Sequence, residues 1–422
     1  MIRLTQTRMK THHASSIRQI KKNYLRMKKL NTKFFVLFLG VAVNAFIACK
    51  KEKPKPVDTT PLTLPCDYFS TNRTLVNDTN KVVDYIINCV MSVDANIVIE
   101  PGVVIHFTEN AGIIVNSGFF KAVGTADKPI IMRGTLDLHG YWKGIYFQNK
   151  SVQNELTYTH ISGAGSSAFD SNDDKGSVIL FKAKLKMNNS KIEKSGHFGF
   201  NAPYDECEFD LKNTYFANCL KAPINILPQY MSLMDPSNLY SNNAEEHIAV
   251  VLAGYNLKGN TTIKALSIPY KIYQGAGFYE WLFVEDGLVT FEGPVVLKFG
   301  DITGLRVEPN GGIRFEGSAS SPALLTGSSS TSGAWKGIYF NASQLNNVLN
   351  HTIIEYTGSI AEGFKYGIGM WNSPKISISN STFRNIDGCA IFDYNNANNP
   401  NPNLTLTNIS YSNVSGGNMC HP

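Results

Sequence analysis

The apolar residues of this 422-residue chain fall in short runs separated by Gly, Asn, Asp or Pro. Ile97-Val98-Ile99, Ile113-Ile114-Val115, Ile130-Ile131-Met132 and Ile145-Tyr146-Phe147 are typical. Each is short enough for a strand and carries no helical period, and the turn formers between them break the chain at once. Later runs share a looser pattern, in which a Ser or Thr is followed two residues on by an apolar side chain. It occurs at Thr159-His160-Ile161, Ser190-Lys191-Ile192, Thr214-Tyr215-Phe216, Thr352-Ile353-Ile354, Thr382-Phe383 and, in eroded form, Asn408-Ile409. Its apolar members stand at 161, 192 and 216, then at 354, 383 and 409. Such spacing is one coil of three short strands, with the inward face of each strand stacking on the coil below.

The pattern also repeats on a larger scale. Trp142-Lys143-Gly144-Ile145-Tyr146-Phe147 recurs as Trp335-Lys336-Gly337-Ile338-Tyr339-Phe340, 193 residues later. Val103 to Phe107 answers to Val295 to Phe299, Pro129 to Pro322, Asn154 to Asn347, and Asn189-Ser190 to Asn380-Ser381. The body therefore reads as two tandem homologous halves, 66–224 with an N-terminal cap, and 225–422. Strand-like runs at 248–252, 261–263 and 270–273 bridge the halves. One continuous all-β solenoid is expected, of about 14 coils at roughly 4.8 Å each, on the order of 65 Å long.

This body resembles the right-handed parallel β-helix proteins of pectate-lyase-like fold, particularly repeat lipoproteins of the Bacteroides–Flavobacterium type. The phrases that carry the likeness are Ile99-Glu100-Pro101-Gly102-Val103-Val104-Ile105-His106-Phe107 and Ala122-Val123-Gly124-Thr125-Ala126-Asp127-Lys128-Pro129-Ile130. The second half keeps eroded versions at Phe291-Glu292-Gly293-Pro294 and Gly317-Ser318-Ala319-Ser320-Ser321-Pro322. The likeness implies the fold and is nearly silent on function.

The N-terminus breaks the β pattern. Lys28 and Lys29 precede an apolar stretch from Phe34 to Ala48, the length of a signal-peptide core and short for a membrane span. Phe46-Ile47-Ala48-Cys49 resembles a lipobox, with Phe where Leu is usual. The resemblance implies cleavage before Cys49 and acyl chains on it, and two or more chains anchor stably. Met27 opens an ordinary signal peptide, so 27–48 reads as the leader and 1–26 as an upstream extension that need not be translated. The charged, Pro-rich stretch after Cys49 reads as a disordered tether, 49–65. An outer-membrane lipid anchor follows, facing the periplasm or the cell surface.

That leader changes the meaning of the charge. Of 39 basic side chains, ten lie before Cys49 with no acid among them, leaving 29 against 33 acids for the rest, about −4. The mature part has no basic stripe, which excludes nucleic acid as a partner. With Cys49 assigned to lipid, six Cys remain in a compartment that permits disulfides. Cys66 with Cys89 would staple the cap, and Cys389 with Cys420 follow equivalent turns of consecutive coils. Cys207 with Cys219 is the remaining pair, and buried free thiols are the alternative throughout. No Cys-x-x-Cys or His-x-x-x-His spacing points to a metal, and no cofactor is expected.

Chemistry is sparse. Asp170-Ser171-Asn172-Asp173-Asp174-Lys175, followed by Gly196-His197, brings Asp173, Asp174 and His197 forward as acid–base candidates. The same acids are turn formers in a Gly/Ser-rich stretch, and the second half lacks the pair. Trp142, Trp335 and Tyr141 are candidate sugar platforms, with Tyr146 and Tyr339 beside them, although packing at a solenoid corner explains the duplicated Trp as well. Tyr279-Glu280-Trp281 and Trp371-Asn372 add unpatterned aromatics. Three functions are weighed from this: non-catalytic binding of a glycan or surface protein, a polysaccharide lyase or glycoside hydrolase working in a cleft, or a purely structural spacer.

Overall fold

The computed structural model describes residues 57–171, 174–275 and 277–422, and residues 58–422 form one compact unit. The signal peptide, the upstream extension and Cys49 lie outside the described residues. The unit is a right-handed parallel β-solenoid of about 13 turns with almost no helix. Every ladder between its strands is parallel, as stacked coils of one winding chain require. Thirteen strands line up in the longest sheet, from Val90–Val93 to Ser410–Val414. In the first half a coil adds one strand to each of three sheets, as in Val104–Phe107, Gly112–Val115 and Phe119–Val123. In the second half a single folded sheet supplies the other two faces. Its bent strand Gly304–Glu316 pairs with Ile338–Asn341 through its first part and with Asn347–Asn350 through its second.

Strand alternation sets the core. Ile97, Ile99, Ile105, Phe107, Ile113 and Val115 are at most 1% exposed, while their neighbours in sequence face out. The runs at 248–252, 261–263 and 270–273 are strands that carry the solenoid through the junction. The wall begins earlier than the boundary at 66. Leu62–Thr63 pairs with the edge of Tyr85–Ile87, and Leu64 is buried. Phe69 in a single 3-10 turn closes that end, tied down by the Cys66–Cys89 disulfide. A second disulfide joins Cys389 to Cys420 on neighbouring coils.

Cys207 and Cys219 are not joined. Cys207 precedes Glu208–Lys212 and Cys219 follows Tyr215–Ala217, so two strands on different faces separate them within one coil. Both thiols are buried, and burial pushes that of Cys219 up to about 12. The pair is two separate packing residues.

The two halves are built alike but do not lie on the same faces. Trp142 stacks on Phe107 at 3.9 Å and Trp335 on Phe299 at 4.2 Å. Their Nε1 atoms donate to the carbonyls of Ser162 and Glu355 at 2.9 and 2.8 Å. Yet Gly144–Phe147 belongs to the long sheet, and its copy Ile338–Asn341 belongs to the folded sheet. Val104–Phe107 lies outside the long sheet, and its copy Val296–Phe299 lies within it. The duplication is therefore turned by one face about the solenoid axis.

The Gly of the duplicated hexapeptide has a backbone reason. Gly337 adopts φ +87, and a Cβ there would sit 2.5 Å from the Gly367 carbonyl oxygen on the next coil. Gly363 has a similar φ of +84 but open space around it. Gly337→Ala should cost about 2–3 kcal/mol and Gly363→Ala about 1 kcal/mol, read from urea midpoints. Equal losses would mean that the close approach of the next coil carries no weight.

Candidate functional site

The second hexapeptide shows how the outer surface is built. Ile338 and Phe340 point into the core, so Tyr339 between them points out. Along the ladder of Cα partners Tyr339 is flanked by Arg306 and Gly369, and beyond these stand Phe283 and Phe392. Gly369 leaves room for the ring of Tyr366 to lie across it, where a Cβ would meet that ring at 2.5 Å. The loop 356–365 then brings Phe364 over Phe392 in a stack at 4.2 Å. Tyr394 touches Phe364 at 5.3 Å, Trp371 at 5.5 Å and Tyr339 at 6.0 Å. Trp281 lies 6.2 Å from Tyr339 at the other end. This aromatic strip crosses five successive strands of the folded sheet, about 19 Å at roughly 4.8 Å per coil.

Charged groups are fixed along the strip. The Arg306 guanidinium lies 4.9 Å from the Tyr339 ring centroid and donates to Glu308 at 2.6 Å and to Glu362 at 2.9 Å. Asn341 donates to the other oxygen of Glu308 at 2.7 Å. Lys336 pairs with Glu280 and stands over the Trp281 ring. Burial raises the Tyr339 and Tyr394 phenols, so both remain protonated donors at neutral pH. Trp371 is 43% exposed and Phe364 38% exposed, so both residues are partly open to solvent. Flat apolar faces edged by fixed acids, an amide and a guanidinium suit a polyhydroxylated ligand, whose C–H faces stack while its hydroxyls bridge the polar groups.

The residues singled out in the sequence take other places. Trp142 and Trp335 are both 0% exposed, packed inward on Phe107 and Phe299, so they offer no platform to a ligand. Tyr141 is half-buried beside Gly134, and the Thr135 hydroxyl donates to its oxygen at 3.2 Å. Asp173 lies outside the described residues. Asp174 accepts the Tyr204 hydroxyl at 2.5 Å, and Asp170 accepts that of Tyr146 at 3.3 Å. Those tyrosines belong to a smaller aromatic group on the outer side of the long sheet, where Phe169 stacks on Tyr146 at 5.5 Å and Phe181 meets Tyr204 at 4.7 Å. It is the first-half counterpart of the Tyr339 strip, on a different face and more covered.

His197 lines a separate open hollow of about 310 Å³ with Lys221, Glu245, His247, Lys271 and Tyr273. Glu245 lies 3.2 Å from His247 and 3.5 Å from Lys221. Burial, helped by Lys271 and Lys298, pulls the His247 imidazole down to about 4, so it is neutral at pH 7.

Arg306, Glu308, Phe364, Phe392 and Tyr394 had no motif to mark them. The available signal was strand parity, since each strand residue among them alternates with a core residue on its own strand. No family model, no curated protein and no solved structure matches the chain.

Proposed function

We propose that the chain is an extracytoplasmic lipoprotein, anchored in the outer membrane through Cys49, that binds a glycan along the aromatic strip without cleaving it. The exposed rings of Trp371 and Phe364, set beside Glu308, Asn341 and Arg306 on one rigid lateral face, carry this reading. A parallel solenoid suits the task, because its repeat of roughly 4.8 Å is close to the advance of one sugar in an extended chain. The basic, apolar and Cys-terminated leader and the tether behind it support the location. Acyl chains, including palmitate, would hold the membrane side, and a surface protein is the other partner class a lateral face could take.

The test is a glycan array followed by titration of the strongest hit. Trp371→Ala should weaken binding roughly tenfold, about 1.4 kcal/mol, and Trp371→Ala with Phe364→Ala should abolish it. Both rings are on the surface, so folding should survive, as circular dichroism would show. Affinity untouched by the double variant would sink the strip as the site. Shortening of the bound polysaccharide would replace this reading with a lyase or hydrolase.

A further inference from the structure

The hollow beside His247 comes from one small residue. On the outer side of the long sheet, Asn201, Asn225, Ala249, Lys271 and Lys298 follow one another in register, one per coil. Ile248 and Val250 fill the core on either side of Ala249, so only its methyl group stands on the outer face of that coil, and a gap opens between Asn225 and Lys271. The wall of the gap is fixed by hydrogen bonds. Asn201 donates to the Lys175 carbonyl at 3.2 Å, Asn225 to the Asn201 side-chain oxygen at 2.9 Å, and the Tyr273 hydroxyl to the Asn225 side-chain oxygen at 2.7 Å. Lys221, Glu245 and His247 stand on the other side.

The charges here do not balance. Glu245 is shared between Lys221 at 3.5 Å and His247 at 3.2 Å. Lys271 and Lys298 face each other in adjacent coils, roughly 4.8 Å apart along the ladder. Both are half-buried, and neither pairs with a carboxylate among the described residues. The next acid along the column, Glu355, is taken by Thr326 at 2.9 Å and Arg384 at 2.6 Å. Like charges in register repel. Another sheet of the solenoid avoids this, since Lys121, Glu155, Lys186 and Asp210 alternate in sign along one column. Two lysines left without an acid, beside a hollow of about 310 Å³, concentrate positive potential where a small anion fits.

We propose that this hollow binds a doubly charged oxyanion, free phosphate or the phosphate of a phosphomonoester, between Lys271, Lys298 and His247. Two negative charges are what the lysine pair lacks, and a carboxylate supplies only one. The hollow lies on the long sheet and the aromatic strip on the folded sheet, so neither site depends on the other. The anion also acts on His247, around which stand Lys221, Lys271, Lys298, Glu245, His197 and Tyr273. Without an anion, burial, Lys271 and Lys298 hold the imidazole neutral down to about pH 4. A dianion beside it offsets the lysines and favours the protonated ring, so binding takes up a proton and tightens on acidification.

Isothermal titration of the full chain in detergent, at constant ionic strength, tests this. Sulfate is the first probe, because it keeps both charges between pH 5 and pH 7. It should bind at one site at pH 7 and about threefold tighter at pH 5, and His247→Gln should abolish that gain. Lys271→Gln and Lys298→Gln, both on the outer face, should each weaken sulfate about tenfold with an unchanged circular dichroism spectrum. Trp371→Ala should leave sulfate binding as it is, whatever it does to a glycan. At pH 8, glucose 6-phosphate binding tighter than inorganic phosphate assigns the site to a phosphomonoester, and the reverse order assigns it to the free ion. Absence of saturable sulfate binding overturns the inference, as does a sulfate affinity indifferent to both lysine variants.

Discussion

Trp335→Ala is expected to lower the stability of the solenoid by about 3–5 kcal/mol. The indole is 0% exposed and lies against Phe299 at 4.2 Å with only 5° between the rings. Its removal leaves a cavity in the core and takes the Nε1 donor from the Glu355 carbonyl. Trp335→Phe would keep an aromatic ring against Phe299 and lose the hydrogen bond, so it should recover most of the loss but stay about 1 kcal/mol short. Urea midpoints give the magnitudes. Because each coil of a solenoid depends on its neighbours, the unfolding midpoint should move for the whole body and not for one coil alone. The glycan affinity expected of the aromatic strip should stay unchanged. A loss below about 1 kcal/mol would show that the ring is not a core residue, and lost affinity without lost stability would return Trp335 to the surface.

The fate of that residue illustrates what the sequence could and could not reveal. Strands and coil spacing were legible because the rule behind them is local. An apolar residue at every second position of a short run can face only one way, and turn formers mark where each run stops. The polar rhythm was legible too, and its cause is now physical. Ser190 and Ser381 are buried at a corner, where their hydroxyls accept the backbone N–H of Thr159 and Thr352 at 3.1 and 3.0 Å. The duplicated Asn154 and Asn347 do the same for Phe120 and Ile313. A pattern that satisfies buried backbone groups from coil to coil has to recur at coil length. At Asn408-Ile409 the same pattern marks the corner between the strands Leu404–Thr407 and Ser410–Val414, and not a strand.

What could not be read was the assignment of faces. The hexapeptide copies match residue for residue, and nothing in them tells that one lies in the long sheet and the other in the folded sheet. That depends on how many strands lie between the two copies, from Glu155–Thr157 to Ala323–Gly327, which the hexapeptide itself does not carry. The aromatic strip was hidden for a related reason. Tyr339, Trp371 and the local pair Phe392 and Tyr394 are far from one another in sequence and become neighbours only through register. Conversely, Trp142 and Trp335 stood out because they were duplicated, and duplication here preserved the inward packing of a corner.

The hollow beside the long sheet should make the protein lose stability on acidification, by about 3 kcal/mol at pH 4 through His247 alone. Its side chain is 11% exposed and its imidazole titrates near 4 in the folded chain, against about 6.5 in an unfolded one. Between those values the unfolded chain carries a proton that the folded one refuses. Stability is therefore full above pH 6.5, falls as the pH drops through the window, and has been lost once the pH is below about 4. The groups around the ring explain the direction. Burial is the largest influence, Lys271 and Lys298 oppose a further positive charge, and Glu245 at 3.2 Å offsets only part of this while also facing Lys221. His197 and Tyr273 complete the wall. Carboxylates elsewhere also lose their partners in acid, Glu155 and Asp210 among them, since both titrate below their usual range. The comparison that isolates His247 is thus the pH dependence of the urea midpoint for the wild-type chain against His247→Gln. The variant should lose about 3 kcal/mol less between pH 7 and pH 4. Parallel curves would mean that the imidazole accepts its proton in the folded state as readily as in water, and that Glu245 outweighs both burial and the two lysines.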